Sequence, residues 1–181
     1  MKNENEFKLP RVMIPEFKIK QRLMELANEI SYDYRGKDLT VICILKGSYM
    51  FFADLIRNID LPLNCEFMGV SSYGNRTTTS GEVKVTLDLT DPVQGKHILL
   101  IEDIVDTGLT AQYLLNNLKA RKPATVKMCT LLLKPDVMKC DVHIDYTGFR
   151  IENEFVVGYG LDFEGRYRQI PYIGILDNAD Y

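Results

Sequence analysis

Residues 98–110 read I-L-L-I-E-D-I-V-D-T-G-L-T and bring three carboxylates and a threonine-glycine turn into one short run. The four apolar residues 98–101 suit a strand buried on both faces. Glu102 and Asp103 follow as adjacent acids. Asp106-Thr107-Gly108-Leu109-Thr110 then leads into a helical pattern over 111–120. A Thr-Gly-x-Thr turn at a helix N-terminus presents free backbone N–H groups and two hydroxyls, which together cradle an anion. Three carboxylates beside such a cradle repel a bare phosphate. They make sense when they hold another part of the same ligand: sugar hydroxyls, a metal ion or a proton. A phosphorylated sugar carries groups in that arrangement. The plain alternative is that Asp106 or Thr107 caps the helix, with Glu102 and Asp103 in a polar strand-to-helix loop.

Two other phosphate sites are excluded. The run lacks the Lys of a nucleotide P-loop. No G-x-G-x-x-G occurs, so a dinucleotide site is not expected. The 181 residues suffice for one domain with a real core. A composition of 46% hydrophobic and 26% charged residues is that of an ordinary globular protein. The net charge of −3 gives no basic excess to point to nucleic acid. The longest apolar runs, such as 41–45, are about five residues, far below a membrane span of ~20. Residues 1–10 are charged and carry no apolar signal segment. The reading is a cytosolic protein without membrane or nucleic-acid partners. Its four cysteines, 43, 65, 129 and 140, show no C-x-x-C spacing. Three sit in apolar strand patterns and read as reduced core thiols. With only His97 and His143 available, a histidine metal site or a Ser-His-Asp triad has little material, and His97 takes a surface or edge role.

The elements that must position the 98–110 run alternate. Ile19, Leu23, Leu26, Ala27 and Ile30 recur at helical spacing, which predicts an amphipathic helix over 15–34. A strand is expected over 39–45, a helix over 49–58 and strands over 63–70 and 83–89. Residues 71–82 have almost nothing to bury and read as a mobile functional loop. A central strand over 97–102, a helix over 107–121 and a strand over 125–133 follow. Beyond Lys134 the pattern becomes irregular, with two short strands at best. The alternation predicts an α/β fold with a mostly parallel sheet flanked by helices. Ligands of such sheets bind beyond the carboxyl ends of the strands. Those ends carry Lys46 and Gly47, Ser71, Ser72 and Tyr73, the acids 102, 103 and 106, and Lys134.

These residues resemble the purine phosphoribosyltransferases. Residues 102–110 are similar to the family's phosphoribosyl-diphosphate motif, two acids followed by D-T-G-x-T. That motif alone indicates the type I phosphoribosyltransferase fold. Leu45-Lys46-Gly47-Ser48, Ser71-Ser72-Tyr73-Gly74 and the run E-F-V-V-G-Y-G-L-D at 154–162 narrow it. With Arg166-Tyr167-Arg168 and Pro171-Tyr172-Ile173-Gly174, they resemble the bacterial hypoxanthine-guanine phosphoribosyltransferase family over about residues 10–177. The resemblance implies a single domain, 1–181, with a core at about 36–135, a small hood from about 1–20 and 136–181, and a lid at 71–82. It implies Mg-dependent transfer from phosphoribosyl diphosphate to hypoxanthine or guanine, giving IMP or GMP and pyrophosphate. A homodimer or homotetramer is expected.

Roles for single residues follow from the resemblance. Asp106, Thr107, Gly108, Leu109 and Thr110 would hold the 5′-phosphate, with Asp106 also the general base at purine N7. Leu109 stands where some eukaryotic relatives carry a lysine, so the cradle draws mostly on backbone. Glu102 and Asp103 would take the ribose hydroxyls, directly or through Mg²⁺. Lys46, Gly47 and Arg168 would bind pyrophosphate, and the peptide before Lys46 would be cis. Lys134 would meet the purine O6, Phe155 would stack on the ring, and Val156 would offer backbone groups to the base edge. Asp162 would lie near the purine C2 edge and hold a second Mg²⁺ through water; its plain alternative is an Asx turn. Ser72 and Tyr73 would close over the site and exclude water. Two competing readings remain open: a regulatory nucleotide sensor on the same fold, or a phosphoribosyltransferase for another base such as xanthine.

Overall fold

The structure is a computed structural model and describes residues 9–72 and 83–176. In chain order its elements are β1 (Arg11–Ile14), α1 (Glu16–Asp33), β2 (Leu39–Leu45), α2 (Tyr49–Ile56), β3 (Leu63–Ser72) and β4 (Val83–Leu87). Then come β5 (His97–Val105), α3 (Leu109–Ala120), β6 (Thr125–Leu133), a 3₁₀ turn (Pro135–Val137), β7 (Tyr146–Arg150), β8 (Val156–Val157) and β9 (Ile173–Ile175). The main sheet has the order β4-β3-β2-β5-β6-β7. Strands β3, β2, β5, β6 and β7 run parallel, and β4 closes one edge antiparallel to β3. The expected mostly parallel sheet is therefore present.

Why the sheet is parallel is visible in its burial. All of β2 except Leu45 is fully covered, as a strand with helices on both faces must be. One face packs Val41, Cys43, Leu99 and Ile101 against α1 and α2. The other packs Ile42, Ile44, Ile98 and Leu100 against Ala111, Leu114, Leu115 and Leu118 of α3. Helix α1 buries the same five residues its spacing singles out. Arg22 fastens that helix to β7 through the carbonyls of Thr147 (2.9 Å) and Gly148 (3.2 Å).

The chain leaves β2 through α2 toward β3 on one side, and leaves β5 through α3 toward β6 on the other. Because β2 and β5 are neighbours, the connections diverge between them and open a crevice at their carboxyl ends, where this architecture places its ligands.

Several expectations change. Strand β5 runs to Val105 rather than 102, so Glu102 and Asp103 lie in the strand and not in a loop. Helix α3 begins at Leu109 rather than 107. Strand β3 continues through Ser71 and Ser72, which the sequence reading gave to the lid. The rest of that segment, 73–82 with Tyr73, lies outside the described residues. Helix α2 and strand β4 each end two residues early. Beyond Lys134 there are three strands rather than at most two. Two of them join β1, which the sequence reading missed, in a second sheet ordered β1-β9-β8. Cys43 and Cys129 are buried thiols, but Cys65 is exposed. His97 is half-buried, with Nδ1 2.9 Å from the Thr125 hydroxyl. Among the described residues no helix is long and apolar enough to cross a membrane.

Candidate active site

A cleft of about 330 Å³ opens at the crevice, lined by Gly47, Glu102, Asp103, Asp106, Thr107, Gly108 and Thr110 among others. The turn into α3 decides between cap and cradle. Gly108, at φ +81°, occupies the cap position, and no side chain makes a capping hydrogen bond. Asp106 and Thr107 are thus not spent as caps. The first N–H groups of α3 have no partner inside the helix, and the dipole adds positive character there. The turn is braced from behind. The Thr107 carbonyl accepts the Lys139 N–H at 2.9 Å and the Cys140 thiol at 3.6 Å. A side chain on Gly108 would stand 2.9 Å from the Cys140 sulfur, so the tight approach requires glycine.

Glu102 is 6% exposed. Burial, and then the neighbouring Asp103 carboxylate, raise its pKa well above the ordinary 4.5. Burial also raises Asp103, although Arg168 opposes the shift. Two adjacent carboxylates with raised pKa values, Glu102 buried and Asp103 half-buried, are suited to a cation or to ligand hydroxyls. Asp103 accepts its own neighbour's N–H, from Ile104, at 2.9 Å. It also lies directly against Gly47: a Cβ there would overlap the Asp103 carboxylate. The pair therefore divides its work, with Asp103 packed against the β2–α2 loop.

That loop carries a cis peptide between Leu45 and Lys46. Ser48 is fully buried, and its hydroxyl donates to the Ile44 carbonyl, which closes the turn. Against the loop lies the segment after β8. A Cβ on Gly160 would overlap the Gly47 carbonyl oxygen. Arg168 donates to the Gly160 carbonyl at 2.6 Å and pairs with Asp162 at 2.6 Å. Asp162 also accepts the Gly165 N–H at 2.7 Å, the turn role that was its plain alternative. Both Asp162 oxygens are thus engaged in this structure, and Arg168 keeps further N–H donors.

On the other flank Lys134 is 7% exposed at the end of β6. Its N–H donates to the Val105 carbonyl at 3.0 Å, which binds the two strand ends together. Its ammonium lies 3.8 Å from Asp106 and 3.5 Å from the Asn153 side-chain oxygen. Phe155 is 42% exposed and meets Phe163 edge-on at 5.6 Å. Val156 is buried in β8, paired with Ile175.

The phosphoribosyl transferase domain model matches residues 16–164. The chain belongs to the phosphoribosyltransferase family. It is 48% identical to a hypoxanthine-guanine phosphoribosyltransferase of Mycobacterium avium, over 94% of this chain and 87% of that protein. A hypoxanthine phosphoribosyltransferase structure from Staphylococcus aureus superposes with a TM-score of 0.91 at 43% identity, covering 94% of this chain and 93% of the other. The Trypanosoma cruzi enzyme, solved with its product IMP, gives 0.90 at 38% identity, covering 98% and 100%.

In this phosphoribosyltransferase the cleft gathers Gly47, the two acids and the Asp106–Thr110 turn. Lys46, Lys134, Phe155, Val156, Asp162 and Arg168 lie outside its lining. Lys134 is joined to it through Asp106, and Asp162 and Arg168 through Gly160 and Gly47. The sequence reading missed Asn153, Gly160 and the Met138–Cys140 brace. Only the glycine left a signal, as one of two glycines flanking Tyr159.

The acid pair gives a pH prediction. Glu102 binds its proton more tightly folded than unfolded, so folding takes up a proton. Stability of the ligand-free protein should be fullest below about pH 4.5 as far as this group is concerned, and should fall as pH rises through the raised value. Glu102→Gln should remove that slope: its Tm should match wild type in acid and exceed it at pH 8. Parallel calorimetric Tm curves for the two proteins would show that Glu102 is not a strained buried acid.

Proposed function

We propose that the chain acts in purine salvage. It transfers the 5-phosphoribosyl group of phosphoribosyl diphosphate to N9 of hypoxanthine or guanine, giving IMP or GMP and pyrophosphate, with Mg²⁺ as cofactor. One observation carries this reading: an uncapped anion cradle, an acid pair with Glu102 buried, and an Asp–Lys pair sit together at the carboxyl ends of β5 and β6. It also has the support of the IMP-bound relative.

The residues divide the reaction among them. Thr107, Gly108 and Thr110, with the backbone of Asp106 and Leu109, hold the 5′-phosphate. Glu102 takes the ribose hydroxyls, and Asp103 assists while supporting Gly47. The backbone of Lys46 and Gly47, with Arg168, receives the pyrophosphate, and the guanidinium exchanges its internal partners for phosphate oxygens. Phe155 stacks on the base, Val156 lends backbone groups to the base edge, and Asp162 lies at the C2 side. N9 bonds to the anomeric carbon as that carbon's bond to the pyrophosphate oxygen breaks, through a state resembling an oxocarbenium ion. The spare purine proton leaves N7 for Asp106.

The acid pair suits a divalent cation. Among the described residues no group of three or more His, Cys, Asp or Glu is gathered for a metal, so the coordination shell would draw on substrate and water oxygens, as Mg²⁺ prefers. Glu102 and Asp103 would hold it, with a second at Asp162 through water. When bound it supplies positive charge to the leaving pyrophosphate. We read the chain as a single domain with its terminal segments forming a hood, working in the cytosol as a homodimer or homotetramer.

Gly47→Ala tests the tight approach at the pyrophosphate loop. The added methyl displaces either the loop or the Asp103 carboxylate. We expect kcat/KM for phosphoribosyl diphosphate to fall roughly 10²-fold, the effect of misplacing bound substrate; a normal value would place pyrophosphate elsewhere. For the reaction itself, purified protein with hypoxanthine and phosphoribosyl diphosphate should yield IMP and pyrophosphate in equal amounts with Mg²⁺, and none with excess chelator. Absence of IMP with Mg²⁺ present would overturn the proposal.

A further inference from the structure

Tyr159 stands at a backbone position better suited to glycine. Its φ is +49°, between Gly158 at +95° and Gly160 at +102°. A bulky residue in that left-handed region is a local cost that its side chain must offset. The ring is buried among the core residues. Its hydroxyl donates to Asp54 of α2 at 2.6 Å.

The segment around Tyr159 is folded on itself. Tyr159 N–H donates to the Ile170 carbonyl at 2.7 Å, Gly160 N–H to Arg168 at 3.0 Å and Phe163 N–H to Arg166 at 3.2 Å. The Arg168–Asp162 pair closes it further. Residues 158–170 therefore move as one block. Helix α2 starts directly after Lys46-Gly47-Ser48 and is tied to them, with Phe52 N–H donating to Ser48 at 2.8 Å. The block thus meets the pyrophosphate element at two points. Gly160 abuts the Gly47 carbonyl, and Tyr159 grips Asp54 on the helix that follows.

We propose that Tyr159 is a positioning residue for the pyrophosphate half of the site: through Asp54 it sets the distance between Arg168 and the Gly47 loop. This rests on the function proposed above. The edge of the purine site formed by Asp106 and Lys134 is held separately, by the pairing of β5 with β6, and does not depend on this contact. The phenol serves as a donor, because burial and the Asp54 acceptor keep its proton on. Asp54 also pairs with Arg57, so loss of the phenol does not leave it unpaired.

The test compares Tyr159→Phe, Asp54→Ala, Asp54→Asn and the Tyr159→Phe/Asp54→Ala double variant with wild type. KM for phosphoribosyl diphosphate and the calorimetric Kd for magnesium pyrophosphate should rise roughly tenfold in Tyr159→Phe and Asp54→Ala, as for loss of a hydrogen bond to a charged group. KM for hypoxanthine should stay within about twofold of wild type, since the Asp106–Lys134 edge is untouched. Asp54→Asn, which still offers an acceptor oxygen, should fall between. The double variant should be no worse than either single one. A lowered Tm with unchanged pyrophosphate affinity would make the contact merely structural and overturn the proposal. An equal loss of hypoxanthine affinity would overturn it too, since the whole hood would have loosened. If wild type binds pyrophosphate but makes no nucleotide, the proposed function fails, while the affinities still decide the role of Tyr159. A wild type that does neither overturns both.

Discussion

Asp106→Asn should lower kcat by roughly 10²–10⁴, the range for a positioned proton acceptor, with little change in affinity for phosphoribosyl diphosphate. The turn frees Asp106 for this task. Gly108 holds the cap position of α3, and no side-chain cap bond is made there. The Asp106 side chain is 49% exposed at the mouth of the cleft, 3.8 Å from the Lys134 ammonium. N7 and O6 lie side by side on one edge of a 6-oxopurine. A carboxylate and an ammonium at that separation match the edge, one facing the N7 proton and the other the O6 acceptor. Asparagine keeps the shape and loses the proton acceptor. Single-turnover rates with saturating substrates check this. Near-normal turnover would remove Asp106 from the chemistry.

Lys134→Ala should weaken hypoxanthine and guanine alike and erode their preference over adenine. The ammonium has three donors and no acceptor, so it pairs with a 6-oxo group and not with a 6-amino group. It is 7% exposed, and its ammonium stands between Asp106 at 3.8 Å and the Asn153 side-chain oxygen at 3.5 Å. Adenine forfeits a charge-assisted bond worth about 1.5–3 kcal/mol and leaves a desolvated donor unpaired. Discrimination of roughly 10⁴ is reachable on those grounds. The ratio of kcat/KM for hypoxanthine to that for adenine, in wild type and variant, measures it. An unchanged ratio would move the selectivity to the backbone around Val156.

The legible parts of the fold were those with a local period. Helix α1 announces itself through five apolar residues on one stripe, and β2 through seven residues with almost nothing polar. What escaped notice has no period. Strands β1, β8 and β9 are two to four residues long, and β1 pairs with β9 across most of the chain, with Arg11 opposite Ile175. Strand β5 was cut short because adjacent acids disfavour a strand. Its pairing with β6 carries it on through Glu102, Ile104 and Val105.

The site divides in the same way. The acid pair and the Thr-Gly-x-Thr turn are contiguous, so spacing and residue type point to them without help. Strand-end position alone pointed to Lys46 and Lys134, whereas their roles, and the expectations for Phe155, Asp162 and Arg168, came from resemblance, because their neighbours are set only by tertiary contact. The Lys134–Asp106 approach, Asp103 against Gly47, and Tyr159 on Asp54 each join segments that no local pattern relates.

The central claim is that this cleft makes nucleotides from 6-oxopurines. The most direct measurement offers the purified protein magnesium phosphoribosyl diphosphate with hypoxanthine, guanine, xanthine, adenine or uracil, and determines kcat/KM for each. Efficient formation of IMP and GMP is expected, with adenine and uracil lower by roughly 10⁴, the discrimination a buried polar group can supply. Comparable rates with adenine or uracil, or no nucleotide from either hypoxanthine or guanine, would contradict it.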